Sequence, residues 1–332
     1  MKYAENLTQI IGHTPLVKLN KLAKKSNVTL LMKLESVNPG GSIKDRLAFQ
    51  VIASAEQDGR LKKGGTIVEC TGSGNTGIGL AMIAAIRGYK SVFTMPDKNS
   101  LEKINTLRAY GAKVIICPTN VAPDDPRSYY KVAEQVAKDI PGSFFVRQYH
   151  NPDNPKAHYL TTGPELWEQT EGKITHLVAG MGTGGTISGI ATYLKEKNSH
   201  VQIIGVDPIG SLYKEYFYKK VIHSKPKTYL IEGIGEDFIP DSIDFSVIDQ
   251  VVQVTDKQAY QTAWRLSREE GLLVGSSSGS AVFGALKVAK KLPKEAVVVT
   301  VLPDSGRSYL SKIFNDEWMQ EHDFLPRKGV RK

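Results

Sequence analysis

The chain has 332 residues, enough for two domains with substantial cores. Hydrophobic residues at 41% and charged residues at 23% fit a soluble globular protein, and no apolar run approaches the length of a membrane span, so no membrane-spanning helix is expected. The net charge of +9 is interleaved with acids except in the tail Arg327-Lys328-Gly329-Val330-Arg331-Lys332, which argues against a nucleic-acid partner. Cys70 and Cys117 stand far apart with no CxxC, and the seven histidines form no HxH or HExxH pattern. Neither a disulfide framework nor a zinc or other protein-held metal site is expected, and a reducing cytoplasm fits. The first residues, Met1-Lys2-Tyr3-Ala4-Glu5-Asn6, begin no signal peptide.

In chain order, residues 10–19 read as an arm entering a short strand. A strand-like run at 30–35 leads to the turn Asn38-Pro39-Gly40-Gly41 and then to a segment whose apolar positions Leu47, Val51, Ile52 and Ala55 suit a helix. Lys44 therefore falls in the first turn of that helix. The positive helix end and Arg46 would disfavour its ammonium form, and a neutral amine can condense with an aldehyde. The plainer alternative is one surface lysine among many. From here strands at 66–70, 91–95 and 114–117 alternate with helices at 78–87, 101–110 and 129–138, the helices at 78–87 and 101–110 closed by Gly88 and Gly111. A Pro/Asp-rich loop fills 118–127. Such βαβα alternation predicts a parallel sheet covered on both faces. Order loosens at 148–155, a turn-rich crossing between domains. It resumes with strand 176–179, helix 187–197 and strand 202–206. A long irregular section follows, then helix 258–270, a Gly/Ser loop at 275–280, helix 281–291 and strand 297–302.

Two strand-to-helix turns are rich in glycine. Gly72-Ser73-Gly74-Asn75-Thr76-Gly77 has Asp97 twenty residues beyond it, and Gly180-Met181-Gly182-Thr183-Gly184-Gly185 has Asp207 after the next strand. Both satisfy G-x-G-x-x-G with an acid near the dinucleotide spacing, so a nicotinamide-dependent dehydrogenase is the rival reading, and tight packing of βα turns is the plain one. The flanking residues favour a different cofactor. Gly182, Thr183, Gly184, Gly185 and Thr186 put hydroxyls beside a helix N-terminus, which suits one phosphate. Thr71, Ser73, Asn75 and Thr76 suit a substrate carboxylate. With an activable lysine, the set fits pyridoxal phosphate and an amino acid. A serine at 276–278 facing the ring nitrogen would leave it unprotonated, which favours β-elimination and replacement over transamination; the serine run could equally be a helix cap.

The motifs Ile11-Gly12-His13-Thr14-Pro15-Leu16, Asn38-Pro39-Gly40-Gly41-Ser42-Ile43-Lys44-Asp45-Arg46, Ser73-Gly74-Asn75-Thr76-Gly77, Gly182-Thr183-Gly184-Gly185-Thr186 and Ser276-Ser277-Ser278-Gly279 together resemble the cystathionine β-synthase/cysteine synthase family of fold-type II pyridoxal phosphate enzymes, over nearly the whole chain. The resemblance implies a two-domain, tryptophan synthase β-like α/β fold. Its smaller mobile domain would span 41–149, and its larger cofactor-binding domain 1–40 and 150–332. It implies Lys44 as the residue joined to the cofactor, Asn75 at the 3′-oxygen, Gly182 to Thr186 at the phosphate and Ser277 at the ring nitrogen. Thr71, Ser73, Thr76 and Gln148 would hold the substrate carboxylate, with Tyr149, Gly233 and Glu236 also on the substrate side. Gly205-Val206-Asp207-Pro208, Glu232-Gly233-Ile234-Gly235, Asp237-Phe238-Ile239-Pro240, Leu302-Pro303-Asp304-Ser305 and Asp316-Glu317-Trp318-Met319 are similar to the cystathionine β-synthase branch. That branch implies serine and homocysteine as substrates, against O-acetylserine and sulfide for a cysteine synthase, and a homodimer. Three departures stand out. Gly72 looks like an extra residue in the asparagine loop. Glu236 replaces the tyrosine of animal and fungal members, which makes it a candidate partner for the homocysteine ammonium. The regulatory repeats and the haem extension of relatives are not in the chain, so haem and control by S-adenosylmethionine are not expected.

Overall fold

The computed structural model describes Met1 and residues 3–326; the basic tail noted above lies outside them. Strands β1 (Leu16–Lys18) and β2 (Thr29–Leu34) come first, followed by helix α1 (Lys44–Gln57). An alternating run then gives β3 (Thr66–Cys70), α2 (Asn75–Arg87), β4 (Lys90–Pro96), α3 (Leu101–Ala109), β5 (Lys113–Cys117), α4 (Tyr129–Asp139) and the short β6 (Phe144–Phe145). Helices α5 (Asp153–Leu160) and α6 (Thr162–Gln169) lead to β7 (His176–Gly180), α7 (Gly185–Lys197), β8 (Gln202–Pro208) and α8 (Tyr213–Lys219). The chain ends through β9 (Gln250–Val254), α9 (Asp256–Arg265), α10 (Ser276–Ala289), β10 (Val297–Leu302) and α11 (Asp316–Glu321).

Two sheets result, ordered β1-β2-β10-β7-β8-β9 and β5-β4-β3-β6. Every pairing is parallel except β1 with β2. The four-stranded sheet is thus inserted between β2 and β7 of the six-stranded one. The β-branched run of β10 explains the centre of the larger sheet. Val298 and Leu302 face α9 and α10, while Val299 and Val301 face α7, so period-two alternation feeds a core on each side. In the smaller sheet, Ile67, Phe93 and Met95 pack with α1, α2 and α3, and Val68 and Val92 pack beside Ala133 of α4.

Several expectations need correction. The serine run predicted as a loop is the first turn of α10, with Ser276, Ser277, Ser278 and Ser280 buried. Two of the hydroxyls are satisfied in place, Ser276 Oγ accepting from Glu232 N–H (3.1 Å) and Ser280 Oγ donating to the Ser276 carbonyl (2.9 Å). Asn75 opens α2 rather than preceding it. Residues 153–169, partly assigned to a turn-rich crossing, form two helices; Pro155 and Pro164 each occupy a first turn, where no N–H bond is lost. The irregular section after 208 contains α8 and β9. The helix predicted to reach 270 gives way after Arg265 to a five-residue π turn, Leu266–Glu270.

Candidate active site

The two sheets meet where their connecting loops are tied together. β2 runs parallel to β10 with Leu34 opposite Leu302, so both chains leave the sheet at the same edge. Beyond it Ile43 N–H donates to the Pro303 carbonyl (2.8 Å), Ser305 N–H donates to Gly41 (3.1 Å), and Ser42 bridges to Asp304. This seam fixes the start of α1, and with it Lys44, beside the loop that opens α7. The place is the carboxyl end of parallel strands, where α/β folds gather ligand sites.

A cavity of about 340 Å³ opens there. Of the residues singled out from sequence, Lys44, Ser73, Gln148, Tyr149, Thr183, Gly233 and Glu236 line it. Thr71, Asn75, Thr76, Gly182, Gly184, Gly185, Thr186 and Ser277 are outside that lining, so part of the set forms its walls and part supports them. Lys44 Nζ lies 3.4 Å from Thr183 Oγ1. Burial lowers its ammonium pKa to about 8, against a smaller upward pull from Glu236. Arg46 was expected to contribute and does not. Its guanidinium turns away to Glu35 (2.8 and 2.9 Å) and Glu165 (2.6 and 2.8 Å), which neutralise it.

The loop at the start of α7 has the form a phosphate needs. The first helical bond is Ser188 N–H to Gly184, so the N–H groups of Gly185, Thr186 and Ile187 have no carbonyl of the helix to bond. Gly184 sits at φ +87°, the conformation Gly74 adopts at φ +82° before α2. A Cβ on Gly184 would strike Ile243. Asn154 Nδ2 donates to Thr183 Oγ1 (2.8 Å), and Ser242 Oγ donates to the Thr183 carbonyl (2.6 Å). Thr186 Oγ1 meets His158 Nε2 at 3.2 Å. Burial, Lys44 and Arg46 push the imidazolium pKa far down, so this histidine is neutral. Ser277 is buried at the start of α10, and the hydroxyl of the next residue, Ser278 Oγ, is buried with no hydrogen-bond partner among the described residues, a donor and acceptor left for a ligand. A free-donor cradle, a spare hydroxyl and a lysine with a lowered pKa fit pyridoxal phosphate.

On the substrate side, Thr76 Oγ1 donates to Gln148 Oε1 (2.6 Å) while Gln148 Nε2 donates to the Cys70 carbonyl (2.7 Å). Thr71 lies behind the loop, its hydroxyl accepting from Gly77 N–H (3.3 Å). Ser73 instead faces the cavity. Gly72 also lines it, beneath the Tyr129 and Tyr149 hydroxyls, themselves 3.2 Å apart. Tyr130 donates to Glu236 Oε2 (3.3 Å), and burial, then Asp237, raises the Glu236 carboxyl to about 8.

Sequence reasoning missed two supporting groups. Asn75 Nδ2 donates to Asp304 Oδ2 (2.8 Å), which also receives Tyr309 OH (2.7 Å); Lys103 joins Tyr309 (2.8 Å) to Glu232 (2.9 Å), and Lys312 meets Glu232 at 2.7 Å. Hydrogen-bonded partners in this network lie up to 229 positions apart, so no local pattern announces it. Glu69 is the other. Burial raises it to about 8 while its Oε1 accepts from Gln148 N–H (3.2 Å). Here a signal existed: an acid inside the apolar strand Thr66–Cys70.

The model of the family described as pyridoxal-phosphate dependent enzyme matches residues 7–304. A cystathionine beta-synthase of Apis mellifera is 48% identical over 326 residues, covering 98% of this chain and 64% of that protein. The chain thus spans somewhat less than two thirds of the length of that relative. Among solved structures, an O-acetylserine dependent cystathionine beta-synthase from Helicobacter pylori is 39% identical with a TM-score of 0.86, over 94% of this chain and 99% of that one. An O-ureido-L-serine synthase is 36% identical, also with a TM-score of 0.86, over 96% and 100%.

Proposed function

The chain belongs to the pyridoxal-phosphate dependent enzyme family, and we propose that within it the protein carries out β-replacement, condensing L-serine with L-homocysteine to L-cystathionine. The observation that carries this reading is the single cavity shared by Lys44, Thr183, Ser73, Gln148 and Glu236. Bound pyridoxal phosphate supplies the electron sink that acidifies the amino-acid Cα and lets the β-substituent leave. Thr183, the glycines beside it and Thr186 hold the phosphate at the start of α7. Asn75 would face the 3′-oxygen from the start of α2, and Ser277 would meet the ring nitrogen with a neutral hydroxyl. Ser73, Thr76 and Gln148 grip the donor carboxylate, with Thr71 supporting the loop and Tyr149 and Gly233 closing the walls.

Lys44 handles the protons. With a pKa near 8 its Nζ exchanges readily between amine and ammonium close to neutral pH. The amine removes the Cα proton, and the ammonium so formed protonates the departing β-oxygen, without which hydroxide is a poor leaving group. The smaller domain, 41–149, closes on the larger one, 1–40 and 150–332. The protein acts as a cytoplasmic homodimer; the apolar side chains Tyr3, Leu7 and Ile10, exposed on the N-terminal arm, suit burial by a second copy.

A second donor has specific support: the Helicobacter pylori relative is named for O-acetylserine, and this chain covers 99% of it. The test crosses serine and O-acetylserine with homocysteine and sulfide and measures kcat/KM for each pair. The proposal expects homocysteine to be the better acceptor with either donor, and serine to be used. Sulfide with O-acetylserine as the far better pair would make the protein a cysteine synthase.

A further inference from the structure

The wall of the cavity beyond Lys44 carries a carboxyl group and an ammonium that do not meet. Glu236 stands on it, held by Tyr130 (3.3 Å). Lys98, in the turn between β4 and α3, lines the same cavity with its Nζ 5.5 Å from the centre of the Tyr229 ring. Among the described residues neither side chain makes an ion pair within 4 Å. Yet they sense each other: burial and Asp237 push the Glu236 carboxyl up, and the Lys98 ammonium opposes them. A carboxyl group and an ammonium kept apart in one pocket match a zwitterion of reversed polarity, whose own ammonium favours the carboxylate form of Glu236.

We propose that Glu236 and Lys98 form the acceptor subsite, Glu236 taking the ammonium and Lys98 the carboxylate of an α-amino-acid thiol. This inference rests on the β-replacement reading and adds the basis of acceptor selection. The thiol reaches toward Lys44 from the subsite, while the Tyr229 ring holds the lysine stem and its charge in place. Sulfide brings nothing to either residue, so docking it leaves both groups without a ligand partner. An amino-acid thiol satisfies both at once.

Three thiols test it with holoenzyme: homocysteine, 3-aminopropanethiol, which lacks the carboxylate, and 4-mercaptobutanoate, which lacks the ammonium. Lys98→Gln is expected to lower kcat/KM for homocysteine by roughly 10-fold or more, chiefly through KM, and to change 3-aminopropanethiol by less than about twofold. Glu236→Gln is expected to spare 4-mercaptobutanoate in the same way. The absorbance change with donor alone reports the first half-reaction and should keep its rate in Lys98→Gln. Equal losses on all three thiols, or no loss on homocysteine, overturn the subsite. A wild type that makes no cystathionine overturns the homocysteine reading on which the subsite rests.

Discussion

At the scale of the residue, Lys44 is set apart by desolvation. Lys33 also has its pKa lowered by burial but meets Glu165 at 2.6 Å, whereas Lys44 faces a cavity floor with a threonine hydroxyl at 3.4 Å and no carboxylate in contact among the described residues. The lysine and its place at a helix start were readable from sequence, but the cause of its lowered pKa was not. Whether Arg46 points toward or away from Nζ depends on Glu35 and Glu165, which reach it from other parts of the chain. The sign of the resulting pH dependence is definite. A lowered ammonium pKa means the neutral amine gains population as pH rises and saturates above the folded value, about 8. Covalent attachment of pyridoxal phosphate to cofactor-free protein should therefore speed up from pH 6.5 or so and level off above ~8. An ordinary lysine would still be accelerating at pH 9.5 or thereabouts, and that result would remove the special status of Lys44.

The elements around the site were legible to different degrees. Strand Thr66–Cys70, strand Val297–Leu302 and the helices closed by Gly88 and Gly111 carry strong periodicity and punctuation, and they stand close to where they were expected. β9 was missed because Gln-Val-Val-Gln-Val becomes a strand only by pairing with β8. The serine run was read by composition as a loop, although it forms the buried first turn of α10. Both glycine turns were recognised, and the geometry shared by Gly74 and Gly184 explains why both matched the dinucleotide pattern. That geometry gives a prediction at this scale. In Gly184→Ala the methyl group is forced into the left-handed region and against Ile243, a combined penalty of about 2–4 kcal/mol. Thermal unfolding should show the loss, and equilibrium dialysis should show weaker pyridoxal phosphate binding; unchanged values for both would mean the loop is not tightly constrained.

Across the whole molecule, long-range polar ties set how the two sheets face each other. Asn75 of one sheet's helix is bound to Asp304 after the last strand of the other, and Arg46 of α1 is clamped between Glu35 and Glu165 with Lys33 alongside. These ties explain why motifs scattered from residue 44 to residue 236 reach one cavity, and they are the part least readable in one dimension. Removing Arg46 leaves one fully buried carboxylate and a second partly buried one short of their cation. Arg46→Ala should cost about 3–5 kcal/mol in urea unfolding, far more than a surface ion pair. A loss below ~1 kcal/mol would show that Lys33 suffices.

The central claim is that the cavity beside Lys44 is a pyridoxal phosphate reaction centre. The peptide map of holoenzyme reduced with borohydride tests it most directly. The account predicts a yellow protein in which the cofactor is fixed on the peptide containing Lys44 and on no other, with the label absent in Lys44→Ala. A label on a different lysine, or a colourless protein that takes up no pyridoxal phosphate, would contradict it.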